Sequence, residues 1–171
     1  MIIRPATLAD LPAIAAVHIE NWQWDYAGVL PRAGLAERLA TYMSRKWQPD
    51  ALARGKVLMV PRDAGVAGFV AFDPDHADGV FIDNLHVGRT ERGKGVGKAL
   101  MVAVAKAASG RRIVLEVLAD NTATRAIYAA WGGMEGPAFE DEILGAPVVS
   151  HLVTWADPVA LARGLSSGAG S

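Results

Sequence analysis

Residues 88–98 read GRTERGKGVGK, and this stretch decides how the rest of the chain is interpreted. Over residues 92–98, three glycines alternate with Arg92, Lys94 and Lys98. A strand-like run, FIDNLHV at 81–87, precedes the stretch, and a helix-like run, ALMVAVAKAA at 99–108, follows it. Successive N–H groups at the start of a helix point toward an anion, and the helix dipole adds positive potential there. The stretch therefore predicts an anion-binding loop between a strand and a helix.

The glycine spacing of this stretch can be compared with two phosphate-binding motifs. The dinucleotide pattern GxGxxG fails in both registers, because Lys98 and Leu100 stand where its last glycine is needed. The pattern Arg-x-x-Gly-x-Gly fits residues 92–97, RGKGVG. Its small residues would let the backbone approach a diphosphate closely.

A nucleotide P-loop, GxxxxGK[ST], remains a minor alternative. Gly88, Gly93 and Lys94 match it, but Gly95 replaces the residue whose hydroxyl would bind Mg²⁺. A glycine-rich turn that only caps a helix is the structural alternative.

A second group of polar residues follows in ADNTATRAIYAAWGG, residues 119–133. Asn121 is a good helix N-cap, and Tyr128 lies two helical turns later on nearly the same face. An amide and a phenol on one stripe of a helix can line one wall of a groove.

With both motifs present, the chain resembles the GNAT acetyltransferase superfamily from IIRPATLADLPAI through VVSHLVTW. The stretch NWQWDYAGVLP also resembles one group of its bacterial members. The resemblance implies an α/β (α+β) fold. Its mixed, mostly antiparallel sheet has about seven strands, with helices on both faces and a V-shaped splay between two parallel strands. Acetyl-CoA would lie in that splay.

The resemblance also implies roles for individual residues. The backbone of Leu85, His86 and Val87 would pair with the pantetheine arm, Asn121 would contact it, and Tyr128 would lie near the thiol sulfur. The pyrophosphate would be held by the amides of Arg92, Gly93, Lys94, Gly95, Val96, Gly97 and Lys98. One departure, Gly132-Gly133 where one glycine is usual, leaves the packing of the following strand open.

Composition narrows the class of protein. The chain has 171 residues, 51% of them apolar, which suits one globular domain. Its net charge of −1 argues against nucleic acid or an anionic membrane as partner. The absence of cysteine excludes disulfides and a Cys acyl-enzyme, and four scattered histidines predict no metal site. The start reads directly as strand then helix, so we expect a cytoplasmic protein. A homodimer is a further expectation from the family.

Local patterns predict the elements. We expect a strand at 2–4, a helix from Leu8 to Tyr26 capped by Thr7, a helix over 33–47, and a β-hairpin around RDAG at 62–65. Further helices are expected over 95–109 and in NTATRAIYAAW, and further strands at FIDNLHV, IVLEVL, MEGPAFE and VVSHLVTW. We expect one domain over residues 1–160, with a disordered tail at 161–171.

Acetyl transfer to an amine requires a neutral amine, a donor for the carbonyl oxygen and a proton for the departing thiolate. Tyr128 is the candidate acid, since a phenol remains protonated at neutral pH; the alternative is a core tyrosine. Asp83 is the candidate base, and Glu116 could assist or replace it, although either could be a structural ion-pair partner. His86 is more typical of a packed strand residue than of a base.

The acceptor site is expected near the end of the first long helix. Trp22 and Tyr26 are four residues apart, so that pair should pack inward on one side, whereas Trp24 faces elsewhere. We expect Trp22, Trp24, Tyr26, Asp83 and Glu116 to bind the substrate amine, with core or surface packing as the alternative for the aromatics. The predicted activity is direct acetyl transfer in a ternary complex; a non-catalytic acyl-CoA-binding or regulatory domain is the second hypothesis.

Overall fold

The computed structural model describes residues 1–25, 33 and 35–167. The chain forms two compact units, one of Met1–Ala71 with Asn84–Leu100 and the other of Phe72–Asp83 with Met101–Ser171. We call them the first and the second unit. The expected single-domain organisation stays a prediction.

The elements follow the predicted order. The strands are β1 Arg4–Pro5, β2 Lys56–Arg62, β3 Gly65–Asp73, β4 Val80–Val87, β5 Ile113–Leu118, β6 Met134–Ile143 and β7 Ala146–Trp155. The helices are α1 Leu11–Asp25, α2 Leu35–Lys46, α3 Val96–Ala107, α4 Thr122–Ala130 and α5 Pro158–Ser167. Short 3-10 turns lie at Leu8–Asp10, Pro49–Leu52 and Arg89–Glu91. In the described parts of the chain, none of the helices combines the length and the apolar character that crossing a bilayer requires.

The sheet has seven strands in the order β1-β2-β3-β4-β5-β7-β6. β4 and β5 run parallel, whereas β1–β2, β5–β7 and β6–β7 are antiparallel. This confirms the predicted mixed, mostly antiparallel sheet. The parallel ladder joins Val80, Phe81 and Ile82 to residues 113–115, the first three residues of each strand. A short ladder of this kind is what a splayed strand pair requires; the splay itself stays a prediction.

The core of the first unit forms where two helices cover β2 and β3. Leu11, Ile14 and Val17 recur on one face of α1, and they pack with Met43 of α2 and Phe69 of β3. Such spacing is typical of a helix with one buried stripe. α3 begins against the other side of β3, since a Cβ at position 68 would touch Val96 and Leu100. Helices therefore lie on both faces of the sheet within this unit.

The second unit is organised around β5 and the β6–β7 hairpin. Every residue of β5 except Glu116 is buried. Arg125 fixes α4 in place: its guanidinium donates two hydrogen bonds to Glu135 on β6, at 2.8 and 2.6 Å, and one to the carbonyl of Ala119, at 2.7 Å. This bidentate pairing is the geometry that arginine and a carboxylate prefer.

Two predicted boundaries need correction. The helix expected from Leu8 begins with a 3-10 turn and becomes α-helical at Leu11, and Tyr26 lies outside the described residues. The disorder expected from residue 161 is wrong up to residue 167, because Pro158–Ser167 form α5. The Asp157 carboxylate caps this helix by accepting from the N–H groups of Val159 and Ala160, both at 2.9 Å, and Leu161 and Leu165 are buried.

The doubled glycine after α4 has a packing reason. A Cβ on Gly133 would lie 2.7 Å from Val153 Cγ1, 2.8 Å from the Trp155 ring and 2.9 Å from the Tyr128 carbonyl oxygen. The chain must therefore pass β7 without a side chain at this position. Gly132 before it ends the helix with a φ of 78°.

We expect Gly133→Ala to destabilise the protein by about 1–3 kcal/mol, since one neighbour is backbone and cannot move aside. Urea unfolding would measure this. Gly136→Ala is the matched control three residues later, in β6, because the nearest atom to its Cβ, the Leu152 carbonyl oxygen, is at an ordinary 3.5 Å. Equal stability of the two variants would contradict the close approach at Gly133.

Candidate functional site

The glycine loop, residues 92–98, connects the 3-10 turn after β4 to α3. Gly93 and Gly95 adopt φ angles of 78° and 81°, which other residues adopt only with strain. The first backbone bond of α3 runs from the Ala99 N–H to the Gly95 carbonyl, at 3.0 Å. The loop therefore turns sharply into the helix just where the glycines permit it.

The N–H groups at this turn are available to a ligand. Within the described residues, no backbone acceptor pairs with the N–H groups of Gly93 or of residues 95–98. A Cβ built on Gly93 or Gly95 would have no atom within 4 Å, so the outer side of the loop is open. Unpaired N–H groups at a helix start with an open approach suit a phosphate.

The three loop cations differ in their surroundings. Arg92 donates to the Asn21 side-chain oxygen at 3.1 Å and lies 3.9 Å from the Asp25 carboxylate. Lys94 pairs with Glu91 at 3.1 Å. Lys98 is exposed, and among the residues described here no carboxylate pairs with it. Of the three loop cations, Lys98 thus has the charge that described carboxylates compensate least.

The end of β4 is fixed by Asn21, a residue that the sequence analysis did not select. Asn21 is 1% exposed and donates to the Val87 carbonyl oxygen at 3.1 Å. Its Nδ2 also lies 3.4 Å from Nδ1 of His86. A signal existed: the buried stripe of α1 continues from Val17 through His18 to Asn21, so it becomes polar toward its C-terminal end.

His86 packs among aromatic rings of the first unit. Its ring centroid lies 4.4 Å from that of His18 and 5.4 Å from that of Phe69. Burial is the main cause that lowers the pKa of His86 to about 3, and the positive charges of Arg92 and Lys46 contribute to the same shift. A neutral imidazole held in this way supports the packed interpretation of His86 rather than a base.

His18 is the most enclosed polar group of the same cluster. It is 0% exposed, and its Nδ1 accepts a hydrogen bond from Trp47 Nε1 at 3.1 Å. Its Nε2 has no hydrogen-bond partner in the described structure. Burial lowers the pKa of His18 far below the ordinary value.

The aromatics at the end of α1 divide as the helical spacing predicts. Trp22 stacks on Tyr42 with centroids 5.3 Å apart and meets His18 edge-on at 5.0 Å, so it packs inward. Trp24 is 59% exposed, and the Arg89 guanidinium lies 3.7 Å from its ring centroid. Tyr26 lies outside the described residues.

In the second unit, Asp83 and Glu116 come together. Both are exposed on neighbouring parallel strands, one residue beyond the Ile82–Leu115 pair. Partial burial raises the pKa of Glu116, and the nearby carboxylates of Asp141 and Asp83 raise it further. Repulsion between like charges favours a shared proton or a cationic partner here. In the described ranges, no group of three or more His, Asp or Glu side chains is arranged to hold a metal ion.

Asn121 directly precedes α4 as its N-cap, and Tyr128 lies within the helix. Asn121 is confirmed as the N-cap, since its Oδ1 accepts from the Thr124 N–H at 3.2 Å. Tyr128 is 8% exposed, and its ring meets Trp155 edge-on at 5.6 Å and Trp131 at 5.9 Å. The aromatic packing leaves the tyrosine few orientations, which suits either a core role or a fixed acid.

Comparison with protein-family models matches residues 16–133 to the acetyltransferase (GNAT) family. A search of curated proteins found no match.

Solved structures with this fold include three at low sequence identity. A GCN5-related N-acetyltransferase from Rhodopseudomonas palustris aligns with a TM-score of 0.72 and 21% identity, covering 90% of this chain and 93% of that one. PaiA N-acetyltransferase from Thermoplasma acidophilum, in complex with coenzyme A, aligns with a TM-score of 0.69 and 19% identity over 88% and 96%. A ribosomal-protein-alanine N-acetyltransferase from Brucella melitensis aligns with a TM-score of 0.64 and 19% identity over 91% and 99%.

The buried histidines predict how stability depends on pH. Both have folded-state pKa values below the ordinary value near 6.5, so unfolding takes up protons as the pH falls below that value toward about 3. Stability is therefore fully present above the unfolded pKa and lost below it. From pH 7 to pH 5 we expect each histidine to remove about 2 kcal/mol from the free energy of unfolding.

Urea unfolding at pH 7, 6 and 5, followed by tryptophan fluorescence, measures this loss. His86→Gln should lose less stability over this range than the wild type, by about 2 kcal/mol, because one of the two protonations is gone. An identical pH slope in both proteins would contradict a lowered pKa of His86 in the folded state.

Proposed function

This chain belongs to the GNAT acetyltransferase family, and we propose that it transfers the acetyl group of acetyl-CoA to a primary amine of a small molecule or a peptide. The observation that carries the proposal is the set of N–H groups in the glycine loop that no described backbone acceptor pairs with, in a loop where a Cβ on Gly93 or Gly95 would meet no atom within 4 Å. Acetyl-CoA presents a diphosphate, which such a loop can hold without a metal ion.

We assign the binding roles by residue. The loop amides of residues 92–98 hold the pyrophosphate, with Lys98 supplying charge. The backbone of Leu85, His86 and Val87 pairs with the pantetheine arm. Asn121 contacts the same arm: its Oδ1 is used by the helix cap, and no described residue accepts a hydrogen bond from its Nδ2.

When bound, acetyl-CoA supplies a thioester whose carbonyl the acceptor amine attacks directly, with the CoA sulfur departing. Tyr128 is the proposed acid, since its hydroxyl can protonate or hydrogen-bond that sulfur. The rings of Trp131 and Trp155 restrict where the hydroxyl can lie.

Asp83 and Glu116 are the proposed acceptor for the amine's proton. The ammonium form is attracted by their charges and loses its proton there before attack. Glu116 suits this step because its raised pKa makes it a better base than an ordinary carboxylate. Asp83 acts with it, directly or through water.

For the acceptor we propose a cationic amine, with Trp24 available to its apolar part. Trp22 and Tyr26 are kept as proposed contacts of the acceptor, with Trp22 packed on Tyr42 and His18 and Tyr26 outside the described residues. A similar structure is a ribosomal-protein-alanine N-acetyltransferase, which makes a peptide amine a reasonable first acceptor to test. We also propose a cytoplasmic location and a homodimer, on the family resemblance alone.

The proposal predicts stabilisation by the cofactor. Acetyl-CoA at about 100 times its Kd should add about 2.7 kcal/mol and raise Tm by several degrees in thermal-shift measurements. Mg-ATP serves as the comparison ligand, and stabilisation by Mg-ATP alone would indicate a P-loop protein instead. Stabilisation by acetyl-CoA without turnover of any amine in a broad screen would indicate the non-catalytic alternative.

Gly95→Glu should abolish binding of acetyl-CoA, because the new carboxylate projects to the open side of the loop and repels the pyrophosphate. Gly110→Glu is the matched control. Gly110 has a φ of 84°, close to the 81° of Gly95, so a side chain should cause similar backbone strain at both positions, and a Cβ on Gly110 also meets no atom within 4 Å. Isothermal titration should show binding only for the control. Equal affinities in both variants would refute the loop assignment.

Tyr128→Phe should lower kcat by about 10²-fold with little change in acetyl-CoA affinity, as expected of a lost general acid. Glu116→Gln should lower kcat/KM for the amine and remove the acidic limb of its pH profile, which reports a carboxyl with a raised pKa. Steady-state kinetics between pH 5 and 9 would measure both. Unchanged kcat in Tyr128→Phe across several amines would remove Tyr128 as the acid.

A further inference from the structure

Asn21 makes contacts that the proposed roles leave unexplained. This side chain of α1 is 1% exposed and reaches two other segments of the first unit. Its Nδ2 donates to the Val87 carbonyl oxygen at 3.1 Å and lies 3.4 Å from His86 Nδ1. Its Oδ1 accepts from Arg92 Nη2 at 3.1 Å. One buried amide thus joins the end of β4 to the first residue of the glycine loop.

The chemistry of these partners determines the amide's orientation. A backbone carbonyl only accepts and a guanidinium only donates, so Nδ2 must face Val87 and Oδ1 must face Arg92. The second Nδ2 hydrogen faces His86, whose Nδ1 can accept because the ring is neutral. Aspartate would lack the donors and leucine would lack both groups, so asparagine suits the position specifically.

The segment between the two contact points is short and is held at both ends. After Val87, the Gly88 N–H donates to the Ala67 carbonyl at 2.8 Å, and the Glu91 N–H donates back to Gly88 at 2.8 Å. The Asn21 bond to Arg92 then fixes the far end of the segment. Residues 87–92 therefore form a short span whose first and last residues both contact the Asn21 side chain.

The side chain of Arg92 is directed toward α1. It donates to Asn21 and lies 3.9 Å from Asp25, which leaves its charge partly compensated. A guanidinium used in this way serves to anchor the loop rather than to add charge for an anion.

We propose that Asn21, through Arg92, is a positioning residue for coenzyme A: it holds the strand end and the glycine loop in the arrangement that binds the ligand. The inference rests on the proposed function. Preorganised donors bind more tightly than mobile ones because no ordering free energy is lost on binding. Loss of Asn21 should therefore raise Kd and KM for acetyl-CoA and leave kcat at saturating acetyl-CoA unchanged.

The test is a double-mutant cycle with CoA as the probe, measured by isothermal titration. Asn21→Ala and Arg92→Ala should each weaken CoA binding by about tenfold. The double variant should lose much less CoA affinity than the product of the two single losses, because both substitutions break the same hydrogen bond. Gln23→Ala is the matched control, since it removes an exposed amide from the same helix and should leave Kd unchanged.

Each other result overturns the inference in a recognisable way. No binding of CoA by the wild type refutes the proposed function and leaves Asn21 nothing to position. Binding by the wild type with the same Kd in Asn21→Ala assigns Asn21 to stability alone. Losses that multiply in the double variant refute the action of Asn21 through Arg92. If Asn21→Ala does not fold, Arg92→Gln carries the test, because Arg92 has a side chain 51% exposed. Unchanged KM for acetyl-CoA in Arg92→Gln would then refute the link.

Discussion

An α-helix cannot pair the first N–H groups of its own backbone, and the candidate site depends on this constraint. In most helices a capping side chain or solvent satisfies these groups. Here Gly93 and Gly95, with φ angles of 78° and 81°, turn the chain into α3, and a Cβ on either glycine would meet no atom within 4 Å. An anion is then a natural partner, because it satisfies several donors at once and interacts favourably with the helix dipole.

The first unit supports this loop at some cost in stability. His18 is a polar group placed among the rings of Phe69, Trp22 and Trp47, and its Nε2 has no partner in the described structure. Buried polar groups are costly unless paired, so the packing of α1 and α2 on the sheet must offset them. The same part of the first unit supplies Asn21, whose hydrogen bond from Arg92 holds the first residue of the glycine loop against α1.

The second unit concentrates carboxylates at one place. Asp83 and Glu116 each follow the last paired residues of β4 and β5, Ile82 and Leu115, by one position. Their mutual repulsion, with that of Asp141, raises the pKa of Glu116. A site of this kind favours either a proton or a cation, and both occur in the chemistry that we propose for an amine substrate.

The sequence by itself determined the local features: the glycine loop, the Asn121 cap, most element boundaries and the sheet class. These follow from spacing and backbone preference, which act within a few residues. Tertiary structure decided the rest. The contact between Asn21 and Arg92 spans 71 positions of the chain, the pKa of Glu116 depends on acids from two other strands, and Gly133 is required by β7, which follows it in the chain. The helix of residues 158–167 was missed because the tail RGLSSGAGS, which overlaps its second half, is small and polar, although Asp157 caps the helix and two leucines anchor it. Such interactions depend on which distant residues the fold brings together, and no local pattern encodes that.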